Sequence, residues 1–73
     1  MIRCHLSRLM GERKLKISDV ARQTGLNRNT VTLLYYERAT RVDLDAIDRL
    51  CTLFNVSVGD LFEHVPGNAS QAD

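Results

Sequence analysis

Long apolar runs are missing from this chain. None approaches the roughly 20 residues that a membrane-spanning helix needs. The N-terminal stretch MIRCHLSRLMGERK carries charges throughout and lacks the apolar segment of a secretory signal. The triplet Asn68-Ala69-Ser70 is therefore not read as a glycosylation site, and a cytoplasmic location is expected. Glycine-rich phosphate loops are absent. The serines and histidines fall in separate segments, with no nucleophile, base and acid grouped, so an enzyme is not expected. Cysteine occurs twice, at Cys4 and Cys51. Cys4, His5, Cys51 and His64 are zinc-ligating types, but no closely spaced pair of the kind that builds a zinc site is present. The two cysteines are read as reduced, buried apolar residues. No metal, cofactor or small-molecule effector is expected.

What remains is the composition of an ordinary soluble domain, 44% hydrophobic and 26% charged. Seventy-three residues fit one domain with a marginal core, because so short a chain buries only about 60% of the surface its unfolded form exposes. The formal net charge is +1, but it is unevenly spread. Residues 1–41 hold nine cations against three carboxylates, and residues 42–73 hold one against six. The halves thus carry +6 and −5. Such polarity suits a basic face turned to a polyanion.

Apolar residues recur at helical spacing along the chain, and nothing reads as a strand pair. Ile2, Leu6, Leu9 and Met10 share a face of a first helix, with Leu15 and Ile17 leading into a second over 17–24 that buries Val20 and Ala21. Gly25 ends it, being free to adopt positive φ. Leu26 plugs the corner, Asn27 caps a third helix over 28–37, and residues 38–42 form a basic loop. Asp43 caps a fourth helix with an inward stripe of Leu44, Ile47, Leu50, Cys51 and Phe54, ending at Asn55. Ser57 and Asp60 form a capping box for a short fifth helix with Val58, Leu61 and Phe62 inward, stopped by Pro66-Gly67. Residues 1–66 form the domain, and the polar tail 67–73, GNASQAD, is expected to be disordered.

Two helices meeting across the glycine turn make a helix-turn-helix. With Val31 and Leu34 inward, the third helix turns out Asn29, Thr32, Leu33 and Tyr36, with Arg28 at its N-terminal flank. These are side-chain types that read base edges: arginine for guanine, asparagine for adenine, apolar groups for the thymine methyl.

The segment ISDVARQTGLNRNTVTLLYYERATRVDLDAIDRLCTLFNVSVGDLF resembles the Cro/repressor (XRE) family of helix-turn-helix regulators. The resemblance covers about residues 2–65. It implies an all-α, compact, five-helix, lambda-repressor-like DNA-binding domain whose third helix enters the major groove. Base readout then falls on Arg28, Asn29, Thr32 and Leu33. Phosphate contacts fall on Lys16, Ser18, Asn27, Tyr36, Arg38 and Arg41. The implied partner is a double-stranded operator, palindromic and bound by a homodimer. The candidate interface is the surface around Leu61, Phe62 and Val65, whose apolar residues outnumber what a short last helix can bury. Where many family members end the third helix in Asn-Gly, this chain has Tyr36-Glu37, and Glu37 is expected to pair with Arg38 or Arg41. Arg3, Arg8 and Arg13 read as solubilising cations. Two alternatives stay open: the antitoxin of a toxin–antitoxin pair, and a protein-interaction module that uses the fold without DNA.

Overall fold

The computed structural model describes residues 1–66; the expected tail, 67–73, lies outside them. Five helices are closed by a small sheet: β1 (Ile2–Cys4), α1 (Leu6–Arg13), α2 (Ile17–Thr24), α3 (Arg28–Tyr35), α4 (Leu44–Phe54), α5 (Val58–Leu61) and β2 (Phe62–His64). The side chains of Leu6, Met10, Val20, Val31, Leu50 and Leu61 are fully buried and form the centre of the core. Cys4, Leu9, Leu34, Ala46 and Phe54 are buried around them. No helix among the described residues is long and apolar enough to cross a membrane.

The sheet corrects the all-helical expectation. β1 and β2 pair antiparallel, with Ile2 opposite His64, Arg3 opposite Glu63 and Cys4 opposite Phe62. Backbone bonds extend the pairing at both ends: Val65 N–H to the Met1 carbonyl (2.8 Å) and His5 N–H to the Leu61 carbonyl (2.8 Å). The Met1 ammonium also donates to the Val65 carbonyl at 2.7 Å. The first helix consequently begins at Leu6, and Ile2 is 61% exposed on a strand. The fifth helix ends at Leu61, well before Pro66, because the chain turns extended at Phe62 to meet β1.

Helix ends follow local chemistry. The Asn27 side chain accepts the Asn29 N–H at 2.7 Å and caps α3. The Asp60 carboxylate accepts from the Ser57 N–H (3.3 Å) and hydroxyl (3.1 Å). Asp43 occupies the cap position of α4 without a side-chain cap bond. Helices α1, α3 and α4 each end on a left-handed residue other than glycine: Lys14, Glu37 and Asn55. At each, the last two N–H groups fold back onto carbonyls of the final turn. This is the double backbone bond that satisfies orphaned carbonyls at a helix end.

Two inward assignments fail at helix starts. Leu44 is 83% exposed and Val58 is exposed; each is the first residue of its helix, one turn short of the core. Ala46 is buried instead of Leu44. Leu61, expected at an interface, lies wholly within the core.

Candidate nucleic-acid interface

The turn between α2 and α3 is built by Thr24, Gly25 and Arg49. Gly25 adopts φ +77° and donates its N–H to the Ala21 carbonyl at 2.9 Å. The Thr24 hydroxyl donates to the Val20 carbonyl (2.7 Å) and accepts from the Leu26 N–H (3.2 Å). Arg49 reaches over from α4 and donates to the Thr24 carbonyl at 2.8 Å while also holding Asp45. The angle at which α3 leaves α2 is therefore fixed by backbone conformation and by side-chain bonds on both sides of the turn.

Val31 and Leu34 are buried, as their spacing predicts. The opposite side of α3 presents Arg28, Asn29 and Leu33, with Thr32 half-buried and its hydroxyl donating to the Arg28 carbonyl at 2.9 Å. Leu33 is 36% exposed and Tyr36, just past the helix, 57%. The cap takes the Asn27 side-chain oxygen, leaving that residue its amide hydrogens as donors.

Four of the expected contact residues meet in one place. Lys16, Ser18, Arg28 and Tyr36 line an open groove of about 340 Å³ between the start of α2 and α3, floored by Met10, Leu15, Ile17 and Tyr35. The Arg38 guanidinium lies 5.8 Å from the centre of the Tyr36 ring, a cation–π distance. Arg41 is not in this groove. It lines a separate apolar hollow with Ile2, Val42, Ile47 and Phe62.

Cations divide into three sets. Among the described residues, carboxylate partners are taken by Arg3 (Glu37), Arg8 (Glu12), Arg22 (Asp19) and Arg49 (Asp45). Arg13, read from sequence as a solubilising residue, donates to the Leu53 and Phe54 carbonyls at 3.0 and 2.9 Å. Its guanidinium also sits 5.4 Å from the Phe54 ring centre, so it closes the end of α4. Lys14, Lys16, Arg28, Arg38 and Arg41 have no ion pair among the described residues. Lys14, counted in the basic half but given no contact role from sequence, is among them.

Glu37 does not pair with Arg38 or Arg41. It accepts from Arg3 Nε at 2.8 Å, from Arg3 Nη2 at 3.1 Å and from the Cys4 N–H at 3.1 Å. The Arg3 guanidinium, with the Cys4 N–H, holds the Glu37 carboxyl below its usual range. The Asp19 carboxyl is lowered first by the Lys16 N–H it accepts, and Arg22 adds to this. Burial pushes both thiols up, and Asp48 and Asp60 add to the effect at Cys51. His5 bonds Glu63 across the sheet at 2.8 Å. No group of three His, Cys, Asp or Glu side chains among the described residues is placed to hold a metal ion.

Comparison with known proteins follows the same lines. The family described as the Cro/C1-type HTH DNA-binding domain matches residues 5–67. A crystal structure of prophage Lp1 protein 11 is 34% identical over 88% of this chain and 84% of that one, with a TM-score of 0.63. A candidate DNA-binding protein from Bacteroides fragilis shares the fold at 21% identity, covering 86% of this chain and 100% of its own, with a TM-score of 0.73. No curated protein matches the chain.

Proposed function

The chain belongs to the Cro/C1-type helix-turn-helix DNA-binding family, and from that premise we propose that it is a sequence-specific transcriptional repressor. Helix α3 enters the major groove of an operator. Arg28, Asn29, Thr32 and Leu33 meet base edges there, while Lys16, Ser18, Asn27, Tyr36, Arg38 and Arg41 meet phosphates. The observation that carries this reading is the division of cations. Those without a carboxylate partner include Lys16, Arg28 and Arg38, which frame or adjoin the groove beside α3. Unpaired cations around a helix face of arginine, asparagine and threonine suit a duplex better than a protein partner. Occupancy of a promoter is enough to repress it.

One recognition helix covers a half-site, so specific binding is proposed to use a homodimer on a palindrome with half-sites about one helical turn apart. Of the apolar residues first assigned to the interface, Phe62 and Val65 remain half-exposed, and exposed Ile2 on β1 joins them as a candidate contact.

The test separates reading from holding. Asn29→Ala should cost roughly 1–3 kcal/mol on a selected operator and little on scrambled duplex. Lys16→Ala should weaken both about equally and reduce the salt slope by about one per half-site. Binding by both variants across a salt series decides. If Lys16→Ala alters sequence preference while Asn29→Ala does not, the α3 face is wrongly assigned. If the wild-type protein retards no duplex at low salt, the interaction-module alternative stands.

A further inference from the structure

Glu37 is the one acidic residue on the turn that leaves α3, and it sits between Tyr36 and Arg38. A carboxylate beside residues that face phosphates would repel the ligand. Its backbone, at φ +58°, is in the left-handed region where glycine would be unstrained. Both charge and conformation argue against glutamate here, so its side chain must do something specific.

The bonds show what that is. The carboxylate is gripped bidentately by the Arg3 guanidinium and also accepts the Cys4 N–H. Paired forks of this kind fix orientation as well as proximity. Arg3 and Cys4 belong to β1, which is itself held by β2, and Cys4 is buried in the core. One residue on, the Arg38 N–H closes onto the Leu33 carbonyl at 2.8 Å, and its guanidinium packs over the Tyr36 ring. The turn is thus bound to α3 on one side and to the terminal sheet on the other.

We propose that Glu37 is a positioning residue for DNA binding: clasped to Arg3 and the Cys4 N–H, it locks the turn so that Tyr36 and Arg38 are held toward the phosphate backbone. The inference rests on the DNA-binding reading above. Arg3 has a second role in it, since it neutralises a negative charge that would otherwise face the duplex.

Charge and positioning predict opposite signs for the same substitution. Glu37→Gly removes a negative charge near DNA and relieves the left-handed strain. By charge alone it should bind DNA more tightly. By positioning it should bind both operator and scrambled duplex about tenfold more weakly at about 0.1 M salt, with a salt slope shallower by about one, the equivalent of one lost phosphate contact. Glu37→Gln makes the same charge change without altering the backbone preference. It keeps an acceptor for the Cys4 N–H and should fall between wild type and Glu37→Gly. Far-UV circular dichroism and thermal midpoints confirm that each variant is folded at the assay temperature, and Glu37→Gln serves if Glu37→Gly is not. Folded variants that bind as tightly as wild type, or more tightly, overturn the proposal while leaving the DNA-binding reading intact. Absence of wild-type binding to any duplex at low salt overturns the reading itself, and the proposal with it.

Discussion

Replacing Gly25 with alanine tests whether the turn into the recognition helix depends on left-handed backbone and on Arg49 together. A left-handed alanine costs about 1–2 kcal/mol. A Cβ at this position would come within 3.0 Å of Arg49 Nη1, the atom that donates to the Thr24 carbonyl. Shifting that guanidinium by a few tenths of an ångström weakens a charge-assisted hydrogen bond, worth about 1.5–3 kcal/mol at most. With the Arg49 side chain 47% exposed, water replaces part of it, and about 1 kcal/mol is the expected loss. Restricting the unfolded chain returns about 0.4–1 kcal/mol. The net cost is then about 1–3 kcal/mol, which for a domain of this size lowers the thermal midpoint by roughly 5–20 °C. In an Arg49→Ala background the same substitution should cost about 1 kcal/mol less, because only backbone strain remains. Gly11→Ala is the control: it lies within α1, where an added Cβ would meet nothing within 4 Å, and should stabilise by about 0.5–1 kcal/mol. Thermal and urea unfolding followed by circular dichroism measure all four. A Gly25→Ala protein as stable as wild type, or an unchanged cost in the Arg49→Ala background, would refute the account of the turn.

Arg13→Met keeps the aliphatic stem and removes the two bonds that close α4; a loss of about 1–2 kcal/mol in urea unfolding is expected. Acid should weaken the fold through Asp19 and Glu37. Both carboxyls are lowered in the folded state, so their contribution is present above the ordinary carboxylate range, about 4, and is lost as pH falls through their folded values. Urea midpoints followed from neutral pH into acid should fall below about pH 4, and fall less steeply in the Asp19→Asn, Glu37→Gln double variant.

The centre of the fold was legible because its signals are local. Gly25, the Asn27 cap, Val31 with Leu34, the Ser57–Asp60 box and the left-handed Asn55 are each decided within four residues. The strands were not, since three residues hold too little of a two-residue period to be distinguished. Ile2, moreover, continues the helical spacing of Leu6 and Leu9. The strand pairing joins opposite ends of the described chain, Arg3 with Glu63 at its centre. The same distance hid the Glu37 partner: Arg38 and Arg41 are near in sequence, whereas Arg3 arrives only when the sheet forms. Within the candidate site, sequence reasoning assigned roles to single residues but not their grouping: Lys16, Ser18, Arg28 and Tyr36 share one groove and Arg41 lines another hollow, because a basic loop does not reveal from its sequence which way it folds. Leu44 shows the limit of periodicity at a helix start, where the stripe continues but the core does not.

The bond between Glu37 and the Cys4 N–H also bears on how the protein avoids its own kind. In a two-stranded sheet each strand is an edge, and an open edge is a template for another chain. Alternation along an antiparallel pair turns the N–H groups of Ile2 and Cys4 away from β2, and the Glu37 carboxylate occupies the second of these. An incoming strand would find one free donor on β1 where it needs a row, with Arg3 and Glu37 standing over the rest. The ion pair that steadies the turn after α3 thus also takes up part of the open edge of β1, where another strand would otherwise add.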